Sequence, residues 1–156
     1  MEHIWAPWRK EYITMKKSKT CIFCRAGRKR TDERKNHVLQ RTRYAFSILN
    51  RYPYNNGHVM IAPYRHVKSL ELLRDNELLD LMKLVNETKV IIDRRLKPAG
   101  YNIGVNIGIS AGAGYPGHVH VHIVPRWTGD TNFMPVVSDT KVLPRSLDEM
   151  RELLKC

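Results

Sequence analysis

The run His118-Val119-His120-Val121-His122-Ile123-Val124 constrains this chain more than any other stretch. Imidazole and aliphatic side chains alternate along it. Alternate side chains of a β-strand fall on opposite faces, so the spacing predicts a strand with one histidine face and one aliphatic face. The aliphatic face needs a dry core beneath it. The histidine face suits a wet catalytic or metal-binding surface, although a row of imidazoles can also simply fill a polar groove.

A chain of 156 residues with 42% hydrophobic content fits one domain with a real core. No stretch has the length of a membrane span, and the start, Met1-Glu2-His3-Ile4-Trp5, lacks a basic-then-apolar signal layout. A cytoplasmic protein is the expectation. The formal net charge is +12, and basic residues crowd the first third, from Lys16 to Lys35. Such a field attracts polyanions without choosing between nucleic acid and nucleotide. The absence of an aromatic RNA-binding motif or a recognition helix argues against nucleic acid.

Three cysteines, Cys21, Cys24 and Cys156, do not make a disulfide framework. Cys21 and Cys24 form a C-x-x-C pair open to three readings: metal ligands, redox pair or free thiols.

Tyr44–Leu49 and His58–Ala62 read as two strands. Pro53 and Asn55-Asn56-Gly57 between them carry turn chemistry, so they form a hairpin that Pro63 ends. Ser69 can start helical structure, and Asp75 can cap a longer helix. Its apolar stripe comprises Leu78, Leu81, Met82, Val85, Ile91, Ile92 and Leu96, and Pro98 and Gly100 stop it. Tyr101–Asn106 reads as a strand, and residues 108–117 as a glycine-rich loop whose backbone can approach a ligand closely. Residues 25–37 read as a polar, basic, mobile loop. Residues 1–20 read as an arm whose Trp5 and Trp8 need burial against the body or a partner subunit. Leu147, Met150, Leu153 and Leu154 predict a short helix after Pro144. Trp127, Phe133 and Met134 form an apolar cluster in an otherwise polar segment. The pattern is α+β: an antiparallel sheet with one major helix.

The triad, the Leu49-Asn50 turn, Gly57-His58-Val59, the helix and the Asn106 approach to the glycine loop together resemble the histidine triad (HIT) family of nucleotide hydrolases and transferases. The outer pieces, Trp5-Ala6-Pro7-Trp8-Arg9 and Pro125-Arg126-Trp127 with Gly129-Asp130 and Asn132-Phe133-Met134, resemble the branch containing bacterial diadenosine tetraphosphate phosphorylases. The resemblance implies a HIT-like fold with a five-stranded antiparallel sheet, short helices beside the major one, and a sheet extended across a homodimer. It implies a catalytic domain over 21–127, with the arm at 1–20 and a C-terminal extension at 128–156 against the body or the partner subunit.

The resemblance also implies chemistry. His120 would attack the α-phosphorus of a nucleotide and form a covalent nucleotidyl-histidine, because neutral imidazole is an available nucleophile near neutral pH. His122 would hold a proton beside the phosphoryl group. Asn50 corresponds to a residue near the nucleotide sugar, His58 to a pocket histidine near the buried strand face and Asn106 to a phosphate-side polar residue, although Asn50 and Asn106 also suit a turn or strand end. Many relatives carry glutamine, serine or threonine in the loop where this chain has Gly112-Ala113-Gly114-Tyr115-Pro116-Gly117. Backbone N–H groups at Gly112 and Gly114, or the Tyr115 hydroxyl, would replace that side chain. Arg126 is a candidate phosphate contact or half of a salt bridge, and Trp127 a candidate neighbour of the site. Cys21, Cys24, His66 and His118 correspond to the ligands of zinc-containing members, and two thiolates with two imidazoles suit structural zinc.

The implied reaction is phosphorolysis of diadenosine tetraphosphate to ADP and ATP, with inorganic phosphate as co-substrate. The alternative is hydrolysis, by water and the same nucleophile, of dinucleoside polyphosphates or nucleoside phosphoramidates. Transfer onto a sugar phosphate is disfavoured, because those relatives have proline between two histidines where this chain has Val119 and Val121. A module that binds nucleotide without turnover is opposed by the intact triad.

Overall fold

A computed structural model describes residues 20–28, 33–131 and 143–155. The arm containing Trp5 and Trp8, and the segment containing Asn132, Phe133 and Met134, lie outside the described residues. In chain order the elements are α1 (Ile22–Arg28), α2 (Glu33–Asn36), β1 (Val38–Arg41), β2 (Ala45–Leu49), β3 (Val59–Pro63), a 3-10 turn (Leu70–Leu72), α3 (Asp75–Leu96), β4 (Gly100–Val105), a second 3-10 turn (Ile109–Ala111), β5 (Val121–Arg126) and α4 (Leu147–Leu154).

The strands form one antiparallel five-stranded sheet in the order β1-β2-β3-β5-β4. β2 and β3 are the expected hairpin. Gly57 closes its turn at φ +73°, a left-handed conformation that glycine adopts without steric cost. A Cβ there would also stand 2.6 Å from Leu96 Cδ1. β2 and β3 are buried along their whole length, because both faces of the sheet are covered.

The alternation decides which residue faces which layer. Ala45, Leu49, Val59, Ile61, Val121 and Ile123 pack with Leu81, Leu84, Val85 and Ile92 of α3 and with Met150 and Leu154 of α4. On the opposite face, Phe46, Ile48, Met60 and Ala62 pack with Phe23 and Ala26 of α1. The predicted terminal helix is thus α4, its Ser146 accepting the Glu149 N–H in a capping box.

Four expectations need correction. Part of the segment read as a mobile basic loop is ordered into α1 and α2, and a strand, β1, follows. Arg25 and Arg28 hold the exposed side of α1 while Phe23 and Ala26 are its buried side, so charge composition concealed an amphipathic helix. The residue capping α3 is Arg74, with Asp75 already inside the helix. Leu78 and Met82, placed in the stripe, are exposed, and Leu84 and Thr88 are buried instead. Finally, the histidine face is mostly dry, with only His122 partly exposed. His118 and His120 are 1% and 5% exposed, because α1 lies across them. The sheet ladder also begins only at Val121, with His118 and His120 leading into β5.

Candidate active site and metal centre

Register brings the site together. His122 pairs with Met60 of β3 on one side and Gly104 of β4 on the other. His58 immediately precedes β3 and Asn50 follows β2, just past His122 on the β3 side, while Asn106 follows β4 at the level of His120 on the other side, so the loop ends flank the histidine row.

The hydrogen bonds assign the protons. The backbone N–H of Tyr54 donates to His58 Nδ1 at 3.1 Å, so that nitrogen carries a lone pair. Asn50 Nδ2 lies 3.3 Å from the same nitrogen and acts as a second donor. The His58 proton therefore sits on Nε2, which donates to His122 Nδ1 at 2.9 Å. It follows that His122 is protonated on Nε2. That N–H is buried and has no hydrogen-bond partner among the described residues, an expensive state unless a substrate satisfies it. His120 has the opposite tautomer. Its Nδ1–H donates to the His118 carbonyl at 2.9 Å, which leaves the lone pair on Nε2. The His120 and His122 rings lie 4.8 Å apart. One presents a ring lone pair and its neighbour an N–H.

Burial favours the neutral form of all these rings. Desolvation, then the neighbouring His122 and His120, push His58 down to about 3. Desolvation and His120 push His122 down to about 4. Desolvation lowers His120 too, against the opposing hydrogen bond to the His118 carbonyl. The His120 ring is thus unprotonated on Nε2 at neutral pH.

Cys21, Cys24, His66 and His118 bring one ligand atom each within 4.8 Å of one another. Cys24 Sγ is 3.2 Å from His66 Nδ1, Cys21 Sγ is 3.5 Å from His118 Nδ1, and the two Nδ1 atoms are 3.2 Å apart. Ligand separations of about 3.3–3.7 Å follow from tetrahedral geometry at ordinary zinc–nitrogen and zinc–sulfur lengths. His118 Nε2–H donates to the Pro63 carbonyl at 2.9 Å, turning the Nδ1 lone pair into the cluster, as an outer partner does for a metal-bound histidine. Burial and the adjacent Cys21 push the Cys24 thiol up, a penalty that a cation among the four ligands reverses. The donor set fits zinc.

The remaining expected residues divide. Gly112 turns at φ +81° beside Asn106, whose Nδ2 would be 4.0 Å from a Cβ there. Gly114 and Tyr115 lie in the same loop, and the Tyr115 ring meets the edge of Phe23, centroids 6.3 Å apart. Arg126 is not free for phosphate: Asp130 takes its Nε and Nη2 at 2.6 and 3.0 Å, and Asn102 accepts from Nη1 at 2.7 Å. Trp127 is half-buried beyond the strand and donates its backbone N–H to Asp130.

Two site residues escaped the sequence reading. Phe23 sits with its ring 4.5 Å from His120 and 5.1 Å from His118. Its place between the two cysteines was the available signal. Tyr54 lies against His58 at 4.7 Å and stacks on His122 at 6.1 Å. It was hidden inside a stretch that read only as a turn.

Comparison with known proteins agrees with this architecture. The HIT domain family matches residues 31–129. An AP-4-A phosphorylase of Mycobacterium tuberculosis is 35% identical over 161 aligned positions, covering 99% of this chain and 83% of that protein. A bis(5'-nucleosyl)-tetraphosphatase (asymmetrical) of Schizosaccharomyces pombe is 37% identical over 61% of this chain and 52% of its own length. Among solved structures, a histidine triad nucleotide-binding protein of Sulfolobus tokodaii, described as hypothetical, superposes with TM-score 0.65 at 29% identity, covering 86% of each chain. A zinc-bound histidine triad family protein of Mycobacterium smegmatis shares the fold at TM-score 0.69 and 21% identity, covering 87% of this chain and 91% of that one. With its histidine run on the central sheet and this similarity along nearly all its length, the chain belongs to the HIT domain family.

Proposed function

We propose that the protein cleaves diadenosine tetraphosphate by phosphorolysis. The observation that carries the reading is the complementary tautomer pair, a lone pair on His120 Nε2 beside an unsatisfied N–H on His122 Nε2. His120 Nε2 attacks the α-phosphorus and forms a P–N bond. The P–O bond to the bridging oxygen breaks, and ATP leaves. The His122 proton stabilises charge developing on the phosphoryl oxygens. Inorganic phosphate then attacks the adenylyl-histidine, the P–N bond breaks, and ADP forms. Asn50 holds the sugar side and His58 positions His122, while Asn106 and the backbone N–H of Gly114 face the phosphates; the Gly112 N–H, expected to join them, is taken by the Ile109 carbonyl at 3.0 Å. The similarity to a protein named AP-4-A phosphorylase across 99% of this chain supports phosphate as acceptor.

Zinc at Cys21, Cys24, His66 and His118 is structural in this reading. All four positions come from protein, so none is open for water. It supplies a cross-link between α1, the loop after β3 and the histidine run. Phe23 stands between two of the ligands and is thereby held against His120.

A homodimer fits the exposed apolar residues. β4 is an edge strand with Ile103 46% exposed. Leu79, Met82 and Val90, at helical spacing on α3, are also exposed. Tyr101 of β4 donates to Asp93 of α3, so strand and helix are adjacent there. Pairing two β4 edges would extend the sheet and cover these residues. In the same reading the chain is cytoplasmic. Among the described residues, no helix is long and apolar enough to cross a membrane.

The decisive experiment incubates zinc-loaded protein with diadenosine tetraphosphate, with and without inorganic phosphate, and separates the nucleotides. Phosphate-dependent ADP and ATP, abolished in His120→Ala, is the expected result. AMP and ATP formed without phosphate would replace phosphorolysis with hydrolysis.

A further inference from the structure

A cleft of about 340 Å³ opens beyond His122, lined by Tyr54, Asn102, Val124 and Arg126 among others. Its walls are built rather than incidental. The Asp130 carboxylate, its side chain only 6% exposed, accepts from Arg126, from Asn55 Nδ2 at 2.8 Å and from the Trp127 N–H. Asn55 also donates to the Pro125 carbonyl at 3.0 Å. This network ties the β2–β3 turn to the turn after β5. It fixes the half-exposed Arg126 guanidinium, while the half-exposed Tyr54 ring beside it rests against His58 at 4.7 Å.

The chemistry of the cleft selects its occupant. Asp130 neutralises Arg126, so the cleft has little net charge to offer a phosphate group. What it offers is an aromatic ring, a planar guanidinium and the Asn102 amide, which suit a neutral aromatic ring with hydrogen-bonding edges. The volume admits a nucleoside. A route to it also exists. Going along β5 from His122 toward Arg126, the paired residues of β4 are Gly104, Asn102 and Gly100. A Cβ at either glycine would meet nothing within 4 Å. Among the described residues, the shelf beside His122 is therefore bare of side chains at Gly104, before Asn102 forms the cleft wall, and a phosphate chain can cross it from His120 to the cleft.

We propose that this cleft is the subsite for the second nucleoside of a dinucleoside polyphosphate, the one that departs with the phosphate chain. The proposal rests on the dinucleotide reading above and adds the residues that distinguish a dinucleotide from a mononucleotide. Tyr54 stacks on the departing base, with Arg126 as the facing plane and Asn102 at its edge.

The test measures equilibrium binding to the zinc-loaded His120→Ala protein, so that turnover plays no part. The probes are diadenosine tetraphosphate and adenosine 5′-tetraphosphate, which differ by one nucleoside. The expected result is roughly tenfold tighter binding of the dinucleotide, on the order of one base stacked on an aromatic side chain. Asn102→Trp, which fills the cleft from the exposed edge strand, erases that preference. Thr131→Trp repeats the block from the turn after β5 should Asn102→Trp fail to fold. Equal affinity for the two probes, or a preference that survives the block, overturns the subsite and leaves the dinucleotide reading standing. Binding of neither probe overturns both.

Discussion

His58 never touches the reacting phosphorus in the proposed mechanism, yet it decides where His122 holds its proton. Replacing it with leucine removes the Nε2–H that donates to His122 Nδ1 at 2.9 Å and the Nδ1 that accepts from Tyr54 at 3.1 Å. His58 is fully buried, so the abandoned partners gain little help from water. Each unsatisfied buried group costs about 1–3 kcal/mol. Leucine returns part of that as apolar burial, and we expect a net loss of about 2–3 kcal/mol in folding stability. The catalytic effect is separate. The bias of His122 toward its Nε2–H tautomer rests on one buried neutral hydrogen bond, about 1–1.5 kcal/mol, which corresponds to about a tenfold fall in kcat/KM. His58→Gln restores a donor and an acceptor on one side chain and should recover part of both losses. The assays are denaturant unfolding, steady-state cleavage of diadenosine tetraphosphate, and nitrogen-15 NMR of His122, whose ring shifts report the protonated nitrogen. A folded His58→Leu protein with kcat/KM within twofold of the parent, or a His122 protonated on Nδ1 in the parent, would refute the relay.

Three further expectations follow from particular contacts. His58 and His122 are pushed down to about 3 and about 4, below the value near 6.5 of an unfolded chain. Their burial as neutral rings therefore contributes fully above about pH 6.5 and is lost as the pH falls through 4 toward 3, because the unfolded chain takes up protons first. Unfolding midpoints that stay flat between pH 6.5 and 4 would contradict this. Cys21→Ser with Cys24→Ser should lower bound zinc from one per chain to none and reduce stability by on the order of several kcal/mol; metal analysis showing retained zinc would discard the ligand set. Gly57→Ala places a Cβ 2.6 Å from Leu96 Cδ1 and 3.3 Å from Pro125 Cγ at φ +73°. The crowding and the left-handed backbone together should cost about 2–4 kcal/mol, and a thermal midpoint equal to the parent's would exclude that strain.

Much of the site was legible because its signals are short in range. The histidine alternation placed Val121 and Ile123 in the core opposite His122. The Asn55-Asn56-Gly57 turn placed His58 at the start of a returning strand. The C-x-x-C pair was visible as a pair, and only the family resemblance joined it to His66 and His118. The failures came where a segment serves a distant partner. Residues 22–28 look basic and soluble because Arg25 and Arg28 hold the outward side of a helix whose inner side covers the triad. Arg126 reads equally as a phosphate contact or half of a salt bridge, and only the fold, by bringing Asp130 and Asn102 to it, decides for the salt bridge.

The linear order of residues determined the periodicities, the turn and the donor types, since these depend on backbone geometry and on neighbours a few positions away. Only the tertiary structure decided proton positions and accessibility. The His122 proton is set by His58, which is set in turn by a backbone N–H of Tyr54, and these groups lie 64 and 4 residues apart. The dryness of the histidine face likewise depends on Phe23 arriving from another element. Hydrogen bonding and desolvation act through space at a few ångströms, and no local pattern encodes which distant groups will share that space.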